Sequence, residues 1–268
     1  MKPLISTFSL FFLLQAGASW AQLAPPNNAG VAMGHIHLNV RDEAAEKALW
    51  LALGGTLGNE LSANVAIKIP GVLILIHKEK NPPTAGSVGS VIDHIGFHVP
   101  NVQASVSKWK AAGLNVQPGA NGRLDQAFVI TPDGLKIEIL QDASMATPIA
   151  MHHIHFFVPE SEVGKVQAWY AKVWGGKPGK RGQFATVELP GVEMTISKSD
   201  AAAAPTKGRV LDHIGFEIDH LEAYCKRQEA SGVKFEDQFY VAAHNIGTRH
   251  LTDPWGTYME LKDGQRQY

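Results

Sequence analysis

Histidine and glutamate recur in this chain at fixed positions of a repeated pattern, and both side chains bind divalent metals or move protons near neutral pH. Four segments open alike: GHIHLNV from Gly34, DHIGFHV from Asp93, HHIHFFV from His152 and DHIGFEI from Asp212. The aligned histidines are His35, His94, His153 and His213, spaced by 59, 59 and 60 residues. Glu138 and Glu260 lie four residues after Gly134 and Gly256, in KIEIL and YMELK. Alone, a histidine at a strand start reads as a hydrogen-bonded, half-buried group, and a glutamate in KIEIL as a solvent-facing one. The same types at the same registers in both halves point instead to shared chemistry. His37 and His155 follow His35 and His153 by two residues, hence on the same strand face. Such an imidazole serves as general acid or base, or hydrogen-bonds a neighbouring carboxylate. Tyr258, two residues from Glu260, is expected to line the same cavity.

The elements that must position these groups follow from periodicity. Residues 91–99 (VIDHIGFHV) and 210–218 (VLDHIGFEI) alternate as strands, with His213, Gly215 and Glu217 on one face and Ile214, Phe216 and Ile218 on the other. After each opening strand comes a helical stretch closing on glycine, over 42–55, 101–113, 160–176 and 220–232. In the third, Val163, Val166, Tyr170 and Val173 share a face and Gly175 is placed as the stop. Apolar runs at 72–76, 136–140 and 258–261 then complete the units as strands. Units one and three share HIH and PGV, whereas units two and four share DHIGF. That alternation predicts a duplicated pair of units, an N-terminal domain over 31–142 and a C-terminal domain over 149–263.

Residues 1–21 have a positive start, an apolar run from Leu4 to Leu14 and the small-x-small motif Ser19-Trp20-Ala21. They read as a secretory signal peptide too short to span a membrane, which predicts an exported, periplasmic or secreted chain beginning near Gln22, with no membrane anchor once the signal is removed. A formal charge of −1 leaves no electrostatic footprint for nucleic acid. The basic cluster Lys177, Lys180 and Arg181 reads as a solvated loop. The single cysteine, Cys225, forms no disulfide framework and is expected to be a buried apolar group.

The DHIGF openings and the endings TPDGLKIEIL (131–140) and DPWGTYMEL (253–261) resemble the vicinal oxygen chelate superfamily, which includes glyoxalase I, extradiol dioxygenases and bleomycin resistance proteins. The resemblance covers nearly all of 31–263 and is closest in layout to the extradiol dioxygenases. It implies an α+β fold in which four βαβββ units pair into two cupped mixed β-sheet domains with helices outside. It also implies a divalent metal, Fe(II) favoured and Mn, Ni or Zn also suited, binding a small molecule through adjacent oxygens with dioxygenase-like or lyase-like chemistry. The bleomycin resistance branch implies an alternative, a metal-free small-molecule binding protein. A monomer suffices to close both cups, and a homodimer is the other expectation.

Under that resemblance, pairing units within each half would assemble His35, His94 and Glu138 in one cup and His153, His213 and Glu260 in the other, the second being the expected live site. Leu75 and Thr195 stand where a fourth, carboxylate ligand would come, which favours a three-ligand set. Glu193 is expected to face away. The tyrosine that dioxygenases place ten residues before the ligand glutamate is His250 here, and Phe128 in the first half. Their acid-base histidine finds only His77 as a loose match, with Lys198 in the third unit. The catalytic candidates are therefore His155, His250, Tyr258 and His37.

Overall fold

The structure is a computed structural model that describes residues 23–58, 64–242 and 246–267. The signal-peptide assignment falls outside the described residues. Unit one comprises β1 (Val31–Asn39), α1 (Glu43–Leu53), β2 (Thr56–Leu57), β3 (Val65–Ile69) and β4 (Val72–His77). Unit two comprises β5 (Ile92–Val99), α2 (Val102–Ala111), β6 (Val116–Pro118), β7 (Gln126–Ile130) and β8 (Lys136–Gln141). Unit three comprises β9 (Ala150–Pro159), α3 (Val163–Trp174), β10 (Lys177–Arg181), β11 (Phe184–Leu189) and β12 (Val192–Ser199). Unit four comprises β13 (Leu211–Ile218), α4 (Leu221–Ala230), β14 (Tyr240–Val241), β15 (Gly247–Thr252) and β16 (Tyr258–Lys262).

Local signals explain the element ends. The Asp42 and Asn101 side chains accept the Ala45 and Ala104 backbone N–H groups and start α1 and α2. Gly175, at φ 65°, ends α3 in the left-handed conformation that favours glycine. The buried face of α3 is Val166, Tyr170, Val173 and Trp174, close to the expected stripe. Cys225 is buried, and burial pushes its thiol up to about 11. The basic cluster is not a loop: it forms β10, paired antiparallel with β11.

The strands form two eight-stranded mixed sheets. Their orders are β14-β15-β16-β13-β1-β4-β3-β2 and β10-β11-β12-β9-β5-β8-β7-β6. Each sheet therefore joins units from opposite halves, one with four and two with three, through antiparallel first strands. This corrects the expected pairing within halves, and packing on the backs of the sheets accounts for it. Trp50 of α1 meets Phe97 of β5 at 5.6 Å, and Trp109 donates to the Ala52 carbonyl. In the second half Trp174 stacks on Phe216 at 4.6 Å, and Tyr224 donates to the Val173 carbonyl. Units of one half thus meet through their apolar backs, which places their first strands in different sheets and leaves each to find its strand partner in the other half. One contiguous apolar core runs through all four units. Its strand residues, such as Ile36, Ile95, Ile154 and Ile214, alternate with the histidines, so the histidines face the cups.

The carboxyl of Glu46 is among the polar groups buried against this core. Glu46 accepts from the Trp50 indole at 3.0 Å, its other carboxylate oxygen has no partner, and burial pushes its carboxyl up to about 7. The folded chain therefore keeps a proton that the unfolded chain releases near pH ~4.3. The stabilisation is complete below the unfolded value and is lost as pH rises to about 7. Glu46→Gln should abolish that decline and leave the variant more stable by roughly 3 kcal/mol at pH 8, within a factor of two. Urea unfolding at pH 4.5 and pH 8 measures it.

Two candidate metal centres

The cup of units two and three is built on the centre of its sheet. β5 and β9 run antiparallel with His153 opposite Gly96, and β8 sets Glu138 beside that glycine from the other side. The Nε2 atoms of His94 and His153 lie 3.2 and 3.1 Å from the same oxygen of Glu138. His155 adds a third imidazole, its Nδ1 3.0 Å from His94 Nε2 and its Nε2 2.8 Å from Ser197 Oγ. One ligand-type atom from each of His94, Glu138, His153 and His155 falls within 4.8 Å of the others. Residues around the cluster fix it. Asp93 holds His94 Nδ1 at 2.7 Å, His152 holds His153 Nδ1 at 2.8 Å, and the Gln126 amide donates to the second oxygen of Glu138. Beside His155 lies a cavity of about 680 Å³, lined among others by Phe157, Phe184, Ser197 and Lys198.

The cup of units one and four repeats the plan. His35 Nε2 and His213 Nε2 lie 3.1 and 3.3 Å from one oxygen of Glu260. Asp212 holds His213 Nδ1 at 2.7 Å, and Gln265 holds His35 Nδ1 at 2.6 Å. His37 stacks on His213 at 4.4 Å. His250 points Nε2 at the other Glu260 oxygen, 3.4 Å away, while Asp237 grips its Nδ1 at 2.6 Å. Tyr258 stacks on His250 and lies edge-on to His213, their ring centroids 5.4 Å apart, so it lines this cup.

Glycine makes the geometry possible. A Cβ on Gly96 would fall 2.0 Å from the His153 ring, and one on Gly215 would fall 1.9 Å from the His35 ring. Each DHIGF glycine is thus the floor on which the imidazole from the facing unit rests.

The residues fit a divalent metal. His35 Nε2 and His153 Nε2 are buried without a satisfied hydrogen bond, each facing a carboxylate oxygen 3.1 Å away. Buried nitrogens so left are costly unless something else uses the lone pair, and a metal does. Burial lowers His35 to about 4 and His155 to about 2, and lowers His37 and His153 as well, which keeps them in the neutral, ligating form. Burial acts the same way on His94 and His213, but bonds to Asp93 and Glu138, and to Asp212 and Glu260, outweigh it and raise both. Burial would raise Glu138 and Glu260, yet the surrounding imidazoles hold both well below the usual carboxylate range.

All six expected ligands therefore reach a cup, but in exchanged company. His35 joins His213 and Glu260, while His153 joins His94 and Glu138. The set His153, His213 and Glu260 is not assembled, because His153 and His213 lie in different sheets. Leu75 and Thr195 do occupy the register that Glu138 and Glu260 hold in the other units: Leu75 pairs with His37 and Thr195 with His155, as Glu138 pairs with Gly96 and Glu260 with Gly215. Glu193 does not face away. It lies two residues from Thr195 on the same face, in register with His153, and binds Arg181 and Thr195 at 2.8 Å each. Sequence reasoning passed over Asp93 and Asp212, although both belong to the repeated DHIGF. It also passed over Gln126, Gln265 and Lys262, of which Lys262, two after Glu260, carried a legible sign.

Four βαβββ units forming two cupped mixed sheets, each with a His/Glu cluster, have the fold of the vicinal oxygen chelate superfamily, as the sequence motifs indicated. Among solved structures, glyoxalase I from Zea mays is similar over 88% of this chain and 94% of its own, with TM-score 0.70 at 15% identity. A putative dioxygenase from Bacillus subtilis subsp. subtilis str. 168 is similar over 91% and 86%, with TM-score 0.60 at 12% identity. At these identities the likeness is one of fold. No family profile matches the chain, and a search of curated proteins finds no relative.

Gly96→Ala should displace the His153 ring and destabilise the protein by about 1–3 kcal/mol, the usual range for overpacking. Gly164→Ala, on α3 with nothing within 4 Å of its new Cβ, should instead stabilise by roughly 0.5–1 kcal/mol. Thermal unfolding of the two variants side by side checks both signs.

Proposed function

We propose that this chain is an exported metal-dependent enzyme that acts on a small molecule through two adjacent oxygens, with dioxygenase-like or lyase-like chemistry. The observation that carries the reading is the pair of buried, unpartnered Nε2 atoms, each beside a carboxylate oxygen shared with a second imidazole. Fe(II) is the favoured metal, and Mn, Ni or Zn suit the same donors. Such an ion supplies Lewis-acid polarisation of the substrate oxygens and, as Fe(II), redox capacity.

The chain's own residues do the rest. His94, His153 and Glu138 would hold the ion, with Asp93 and His152 fixing the ring orientations from behind. His155 sits between this cluster and the cavity, held neutral by burial and bonded to Ser197, where it can orient that hydroxyl toward a bound molecule. Phe157 and Phe184 give the cavity two apolar walls against which a bound molecule can pack. Both cups are completed within one chain, which supports a monomer. The leader over 1–21 supports export, and among the described residues no helix is long and apolar enough to cross a membrane.

Elemental analysis of anaerobically purified mature protein tests the reading. Metal should be present, Glu138→Gln should release it from the cup of units two and three, and Asp93→Asn should weaken it about 10–100-fold. A protein that takes up no metal when offered Fe(II), Mn, Ni and Zn in turn would instead be a metal-free binding protein. Amino-terminal sequencing of the exported chain should begin at Gln22.

A further inference from the structure

The two cups share a plan but not a charge. Lys262 follows Glu260 by two residues on β16, on the same face, and its ammonium lies 3.0 Å from the Glu260 oxygen that His35 and His213 also approach. The register-equivalent residue in the other cup is Leu140: Lys262 pairs with Thr248 as Leu140 pairs with Gln126. The carboxylate of one cup thus already has a cation on it, whereas among the described residues no lysine or arginine pairs with Glu138, Arg181 beside that cup being bound to Glu193. A fixed positive charge beside a carboxylate repels a divalent ion from the same place.

The walls diverge in the same direction. β4 presents Leu73 and Leu75 in register with His35 and His37, and these pack with Ala66, Ile246 and Leu23 into a buried apolar cluster. At the matching positions β12 presents Glu193 and Thr195, beside the cavity that Ser197 and His155 line. The wall beside the odd-unit histidines is therefore apolar in one cup, with Leu23 packed into it, and carries Glu193 and Thr195 in the other.

We propose that the chain holds a single metal, in the cup of units two and three, and that in the cup of units one and four the Lys262 ammonium takes the place of a second. This rests on the metal-dependent reading above, and metal stoichiometry separates the two ideas. Mature protein loaded with Mn(II) or Fe(II) under anaerobic conditions should carry one ion per chain. Glu138→Gln should remove it and Glu260→Gln should leave it. Lys262→Leu should raise the count to two, and the reciprocal Leu140→Lys should lower it to none. Circular dichroism verifies that each variant is folded, and Lys262→Met replaces Lys262→Leu if the latter is not. Two ions in the unaltered protein would overturn this proposal and leave the functional reading intact. So would one ion lost with Glu260→Gln instead of Glu138→Gln, or a count that stays at one in the folded Lys262 variant. No metal in any form would overturn both.

Discussion

An imidazole lying flat against a glycine at the centre of each sheet is the constraint on which both sites depend. The antiparallel joins of β1 with β13 and of β5 with β9 bring the first histidine of an odd unit over the DHIGF glycine of an even one. No side chain larger than hydrogen fits beneath it. That contact fixes the ring from below, while Gln265 or His152 fixes its Nδ1. Only Nε2 is then free to face the glutamate. A shift of one residue in either register would turn the histidines into the apolar core, so register and site stand or fall together.

The helices take part in this through unit pairing. Trp50 against Phe97, and Trp174 against Phe216, join units of the same half back to back. Such joining separates the first strands of each half into different sheets, and the cross-half joins then complete the cups. Each half contributes a histidine to both sites. Neither site can be assembled from one half of the chain alone.

This explains what could be read from the sequence and what could not. Period-two alternation set the face of His35, His94, His153 and His213, and the repeat set their register and that of Glu138 and Glu260, so all six residues of the two clusters were legible. The partnering was not. Every unit opens with a strand of the same pattern, and pairing one with two satisfies that pattern as well as pairing one with four. The choice lies in contacts between tryptophans and strands roughly fifty residues apart, such as Trp50 and Phe97, which no local period encodes. The aspartates of DHIGF were hidden differently. On a regular strand Asp93 and Asp212 would face away from the following histidine, but the ladder is irregular at this point, and both carboxylates come round to the Nδ1 of their neighbour.

Strand geometry also accounts for how two sites on one scaffold can differ. Residues that hold the fold, such as Ile95, Phe97, Ile137 and Ile139, occupy alternate positions facing the shared core. Residues that decide the chemistry occupy the positions between them. Leu140 against Lys262, Phe128 against His250, and Thr195 against Leu75 are differences at cup-facing positions, outside the apolar core that runs through the four units. The set of two histidines and one glutamate does not vary between the cups: a glycine lies beneath one imidazole and an aspartate holds the other. The two cups therefore share this set and differ in what surrounds it. Charge next to the glutamate, and the wall beside the second histidine, are where the difference between them is physically set.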